Sequence, residues 1–136
     1  MHEVEISRFV AATRPELDRH LSPATVIEYE GTFTVVDVTD IEDGTAVTGR
    51  GGGMDVVFEF EPREEGYAYA QQGEKGPFET MRTTLSLTRE NEGTVVTARS
   101  QVSLGLPAKA VTDRVAAWKR RGELERALDR LAAEFD

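Results

Sequence analysis

The chain has 136 residues, no cysteine and two histidines, which excludes disulfides, thiolate catalysis and any cysteine-based or histidine-rich metal site. Its 25 acidic against 16 basic residues leave a net charge of −9, which argues against nucleic acid and anionic membrane surfaces as partners, because both reward clustered Lys and Arg. No stretch approaches the ~20 apolar residues of a membrane span and the acidic, alternating start is not that of a signal peptide, so one soluble, cytoplasmic domain over residues 1–136 is expected, without stable membrane insertion.

The first element, "EVEISRFVA", alternates Val4 and Ile6 against Glu3, Glu5 and Ser7 and predicts a strand. Thr13 with Glu16 three residues on is a capping box, and Pro15 suits a first helical turn, so a short helix is expected over Arg14–Leu21. Ser22 and Pro23 repeat the signal and start a second short helix. From Gly31 the period changes to two. "TFTVVDVTD", "TAVTGR", "MDVVFEFE", "YAYAQQ", "PFETMRTTLSLTRE" and "TVVTARSQVSL" read as six strands joined by short turns, hence an antiparallel meander. Pro62 is expected to close the third of these.

Four of the five residues Gly49–Gly53 are glycine, which raises the possibility of a phosphate-binding loop. Such a loop needs a helix after it, whose N-terminus faces the anion. Here strands stand on both sides, no Gly-Lys-Ser/Thr follows, and Met54 takes the place of the third glycine of the dinucleotide motif. The glycines predict a tight turn or bulge with positive φ.

The chain ends in a helix expected to start at Pro107. Val111, Val115 and Trp118 form one apolar stripe, and Leu124, Leu128, Leu131 and Phe135 a second that is out of phase with it. A small kink at Gly122 would turn both onto the same sheet. Arg114, Arg120, Arg121, Arg126 and Arg130 then read as a solvated face, supported by the four-apart pairs Lys119–Glu123 and Arg121–Glu125. His20, near the end of the first short helix, reads as a cation suited to the dipole there.

The order strand, two short helices, six strands and one long helix resembles the START-like helix-grip superfamily (SRPBCC), in its polyketide cyclase/dehydrase and lipid transport-like branch. The stretches that carry the resemblance are "EVEISRFVAATRPELDRHL", "EGTFTVVDVTDIEDGTAV", "NEGTVVTARSQVSL" and "RGELERALDRLAAEF". It implies an α+β helix-grip fold, a curved antiparallel sheet of about seven strands (β-α-α-β6-α) wrapped around the C-terminal helix, with a cavity between them. It also implies a hydrophobic or amphipathic small-molecule ligand, such as a lipid, quinone or polyketide-like compound.

Pleat and helix period give the lining independently. Met54, Val56, Phe58 and Phe60 share one face, as do Met81, Leu85 and Leu87, then Val96, Ala98 and Val102, with Val111, Val115 and Trp118 opposite on the helix. Tyr67, Tyr69 and Gln71 share a face whose direction stays open; if inward, they are polar anchors for a head group. The ligand-binding set expected is therefore Met54, Val56, Phe58, Phe60, Tyr67, Tyr69, Met81, Leu85, Val115 and Trp118. Arg82, Glu79, Arg99, Asp55 and Glu59 fall on other faces, so no carboxylate, histidine or arginine is expected inside, and no catalytic residue, metal or cofactor is assigned. Non-enzymatic binding or transport is the first reading. An aromatase/cyclase, which needs facing titratable groups inside, is the second. A protein-partner module is the third. A monomer or weak homodimer is expected. The lysine-poor, acidic surface fits a high-salt cytoplasm and equally a GC-rich genome.

Overall fold

The computed structural model describes residues 2–72, 80–103 and 109–136, with the side chains of 109–113 excepted. The expected helix start at Pro107, Val111's side chain, Glu79 and the turn at 73–76 lie outside the described residues. The elements are β1 (His2–Val10), α1 (Arg14–His20), α2 (Pro23–Glu30), β2 (Thr34–Ile41), β3 (Gly44–Gly51), β4 (Met54–Arg63), β5 (Gly66–Gln71), β6 (Thr80–Glu90), β7 (Gly93–Ser103) and α3 (Lys109–Glu134). The strands make one antiparallel sheet in the order β1-β7-β6-β5-β4-β3-β2. It is the meander expected, with β1 returning beside β7. α3 lies on β1 and β7 and against α2, which is the helix-grip arrangement.

The local signals explain both short helices. Thr13 Oγ1 accepts from the Glu16 N–H at 3.3 Å, and the Glu16 carboxylate accepts from the Thr13 N–H at 3.0 Å. The Thr13 N–H and the Thr13 hydroxyl, both donating to that carboxylate, hold the Glu16 carboxyl below its ordinary range. Ser22 Oγ caps α2 through the Thr25 N–H at 3.2 Å. At its other end α2 stops at Gly31 in the left-handed region, φ 83°. Arg126 donates to the Glu30 carbonyl at 2.9 Å, and Arg130 to the Glu28 and Tyr29 carbonyls at 3.2 and 3.1 Å. Two arginines read as solvated therefore cap a helix C-terminus and tie α2 to α3. His20 likewise does more than face a dipole: its Nε2 meets Tyr29 Oη at 2.7 Å and its ring packs edge-on against Phe135.

β4 runs through Pro62 to Arg63 instead of closing there. β3 pairs with β4 only as far as Thr45↔Phe60, so Pro62 sits where β4 outruns that neighbour. Its missing N–H therefore breaks no ladder bond on that side, while Pro62 stays in register with Tyr67 on the other.

The glycine run is a two-residue hairpin turn between β3 and β4. Gly52 and Gly53 have φ of 58° and 79°, the signature that favours glycine in this turn. A Cβ at either position would meet nothing within 4 Å, so backbone conformation alone demands glycine. Gly53→Ala is expected to cost about 1 kcal/mol, read as a small drop in urea midpoint without a change in slope.

The inner face carries the core: Val56, Phe58, Phe60, Met81, Leu85, Leu87, Val96, Ala98 and Val102 are all buried, the larger side chains each contributing roughly 1.5–3 kcal/mol by removal from water. Met54 departs from the expectation. It is 40% exposed at the start of β4, where the strand leaves the hairpin. α3 departs more. It runs continuously through Gly122, and its buried positions are Ala116, Arg120, Glu123, Leu124, Ala127, Leu128, Leu131 and Ala132. Stepping back by fours from Leu128 and Leu124 reaches Arg120 and Ala116. Val115 and Trp118 then fall on the opposite side, 53% and 77% exposed. The buried positions form one inward stripe along the helix, and the leucine set takes it.

Candidate functional site

The strands bring the polar inward residues into one row. β5 pairs Tyr69 with Thr83, and β6 pairs Thr83 with Ser100. Consecutive pairing across three strands puts Tyr69, Thr83 and Ser100 side by side on the inner face. Phe60, opposite Tyr69 on β4, stacks on its ring at 4.4 Å with the planes 10° apart. The tyrosine face of β5 thus points inward: Tyr69 and Gln71 are buried, and Tyr67 is half-buried against Phe60.

Over this row stands Arg120, 1% exposed. Its Nε donates to Ser100 Oγ at 3.2 Å. Nη1 donates to Glu30 Oε1 at 2.6 Å and Glu123 Oε1 at 3.0 Å. Nη2 donates to Glu30 Oε2 at 3.1 Å, Tyr69 Oη at 3.0 Å and Thr83 Oγ1 at 2.8 Å. Tyr69 also donates to Glu30, and Thr32 to Glu123. A guanidinium has five N–H groups, and all five are used. The expectation of an interior without carboxylate or arginine is therefore overturned. Glu30 reaches the interior because it ends α2 four residues after Val26, on the buried face of that helix. Glu123 reaches it three residues after Arg120.

Buried charges persist only when paired and hydrogen-bonded. Burial alone would lower the Arg120 pKa, but Glu30, Tyr69 and Glu123 around it push it well above its ordinary value. Burial first, and the Glu30 carboxylate second, raise the Tyr69 hydroxyl well above 10. An unfolded tyrosine releases its proton near pH 10 while Tyr69 in the folded chain keeps it. Stability is thus unaffected below about pH 10 and falls as pH rises from there through the folded pKa, by up to about 1.4 kcal/mol per pH unit for this one group. Tyr67 and Tyr29, also raised by burial, add to the same loss. Tyr69→Phe is expected to make the alkaline limb of a stability–pH curve shallower, and an unchanged limb would refute the assignment.

Of the ten lining residues expected, the inner face unites Val56, Phe58, Phe60, Tyr69, Met81 and Leu85, with Tyr67 at its margin. Met54, Val115 and Trp118 are not part of it. Arg82, Arg99 and Asp55 are exposed and Glu59 is part-exposed, as alternation requires. N-terminal to Arg120, α3 turns the small Ala116 toward the sheet, whereas its C-terminal half presents leucines. Among the described residues no group of three His, Asp or Glu side chains is placed to hold a metal ion. Among the described residues no helix is long and apolar enough to cross a membrane.

The family model described as "Polyketide cyclase / dehydrase and lipid transport" matches residues 1–136. No curated protein sequence matches. Among solved structures, the chain is similar to the protein XoxI from Bacillus cereus, at 13% identity and a TM-score of 0.77, covering 99% of this chain and 96% of that one. It is similar to a START superfamily protein from Mycobacterium smegmatis at 12% identity and a TM-score of 0.66, covering 96% and 97%. It also matches the di-domain ARO/CYC BexL from the BE-7585A biosynthetic pathway at 19% identity and a TM-score of 0.66, covering 98% of this chain and 47% of that one. At these identities the structural likeness concerns the fold.

Proposed function

The chain belongs to the polyketide cyclase/dehydrase and lipid transport family, and from that premise we propose that it binds or carries a hydrophobic or amphipathic small molecule between the inner sheet face and α3, without transforming it. The carrying observation is the state of the Arg120 cluster. Its polar atoms are engaged with one another, so Arg120 has no N–H to spare for a substrate oxygen. Around it the wall is apolar and aromatic, with Met81, Leu85, Phe58 and Phe60 supplying adaptable contact. Ala116 keeps the α3 side chain small on the side of Arg120 toward the helix N-terminus, where a leucine would fill more of the space.

A second reading, an aromatase/cyclase, is favoured by one observation. Tyr69 is a protonated hydroxyl beside a carboxylate and a guanidinium, the kind of group that serves as a general acid. It requires Tyr69 to exchange Glu30 for a substrate oxygen.

Native mass spectrometry of protein desalted just before spraying, followed by organic extraction, tests the first reading. A stoichiometric apolar compound released unchanged on unfolding is expected. Conversion of an added polyketide-like substrate, lost in Tyr69→Phe, would replace it with the second reading.

A further inference from the structure

The outward side of α3 carries a surface that the interior does not explain. Trp118 is 77% exposed, and Val115, three residues before it, is 53% exposed on the same side. Around them stand Arg114 and Arg121, both exposed, and Lys119, part-exposed. From Arg114 to Gly122 the sequence has no acidic residue, although the chain has 25. Asp113 precedes the window, and Glu125 follows it, within 4.0 Å of Arg121. An aromatic knob ringed by cations is thus set on a strongly acidic protein.

Further along the same side of α3 stand the exposed acids Glu125 and Asp129, paired with Arg121 and Arg8, and a larger group of acids lies on the far side of the molecule. A groove of about 1050 Å³ on the outer face of the sheet is lined by Glu42, Asp43, Glu59, Glu61, Glu64 and Glu65, with Arg63 and Arg82 among them. α3 packs on the inner face, so the outward side of the helix and the outer face of the sheet point in opposite directions. The cationic window at the middle of α3 and this acidic groove therefore lie on opposite sides, and an anionic surface would attract the first and repel the second. The net charge of −9 counts against such a surface for the chain as a whole, but the acids concentrated on the far face are screened there within about 8–10 Å at moderate salt.

We propose that this face of α3 docks on the headgroup layer of an anionic lipid membrane, with Trp118 at the interface and Arg114, Lys119 and Arg121 on the lipid phosphates. Tryptophan favours that depth because its ring is apolar and its N–H is not. A second copy in a symmetric helix-to-helix dimer is disfavoured, since it would set two cationic rings against each other. The proposal stands on the helix surface and does not depend on what the interior binds, so vesicles without any further ligand suffice to test it.

Trp118 is the only tryptophan, and its emission reports the contact directly. With phosphatidylglycerol/phosphatidylcholine vesicles at about 0.1 M salt, a blue shift is expected, together with quenching by brominated lipid and co-sedimentation. Pure phosphatidylcholine should give neither, and added salt should reverse binding. Arg114→Glu combined with Arg121→Glu, two exposed changes that leave far-UV circular dichroism intact, should weaken binding by roughly thirtyfold or more. Trp118→Ala should abolish co-sedimentation. No shift at any lipid concentration, equal binding to neutral vesicles, or undiminished binding by the charge-reversed variant would overturn the proposal. So would a shift that follows protein concentration without lipid, which would assign the face to a second copy.

Discussion

Arg120→Met is expected to destabilise the protein by about 3–5 kcal/mol, the loss that follows when one partner of a buried ion pair is removed. Methionine fills much of the arginine's volume, so the effect is electrostatic and not a cavity. Glu30 and Glu123 accept from the same Nη1, at 2.6 and 3.0 Å. Without it, two buried carboxylates face each other with, among the described residues, Tyr69 and Thr32 left to donate to them. Ser100 and Thr83 retain their mutual bond at 2.8 Å but lose the donor above them. Removing the charges together should recover most of the loss, so Arg120→Met with Glu30→Gln and Glu123→Gln is expected to stand well above the single variant in urea. If the single variant is as stable as the parent, the cluster is not the electrostatic hub described here. The triple variant also bears on function: a carrier should still yield its apolar ligand on extraction, whereas an enzyme using Tyr69 beside Glu30 should not survive it.

That cluster was partly legible in the sequence. The "NEG" turn between β6 and β7 closes with Glu90 opposite Gly93, and counting back from a two-residue turn sets Thr83 against Ser100. Two inward polar residues side by side then call for a polar partner. Extending the Leu124–Leu128 spacing toward the N-terminus reaches Arg120 and Ala116, so the partner was also within reach. What misled was the size of Trp118 and Val115, because large apolar side chains at helical spacing read as core wherever they stand. The strands were legible because alternation has period two and each turn fixes its own register. The direction of the Tyr67–Gln71 face was not, since aromatic rings on one side and alanines on the other both suit an inward position. Glu30 and Glu123 could not be placed from single elements. Their burial depends on α2 meeting α3, a contact between residues 90 or more positions apart.

β5, which carries Tyr67, Tyr69 and Gln71, depends on how it begins, and Gly66→Ala is the backbone change expected to disturb it most. Gly66 has φ of 152°, and a Cβ there would stand 2.0 Å from the Leu85 carbonyl oxygen and 2.9 Å from Leu87 Cδ1. The backbone on both sides is engaged: Gly66 pairs with Arg63 across the turn and with Ser86 on β6, and the Leu87 N–H donates to the Glu65 carbonyl at 2.6 Å. Relief therefore means prising β5 from β6, which displaces Tyr67 from Leu85 and Tyr69 from Thr83. Strained φ costs about 1–3 kcal/mol and the forced shift about as much again, so a loss of about 2–6 kcal/mol is expected. Gly53→Ala is the control, because it shares the positive φ but meets open space. The difference between the two urea midpoints isolates the cost of the Leu85 contact. Equal losses would mean that φ alone governs Gly66, and that the close approach of β5 to β6 contributes nothing to holding Tyr69 under Arg120.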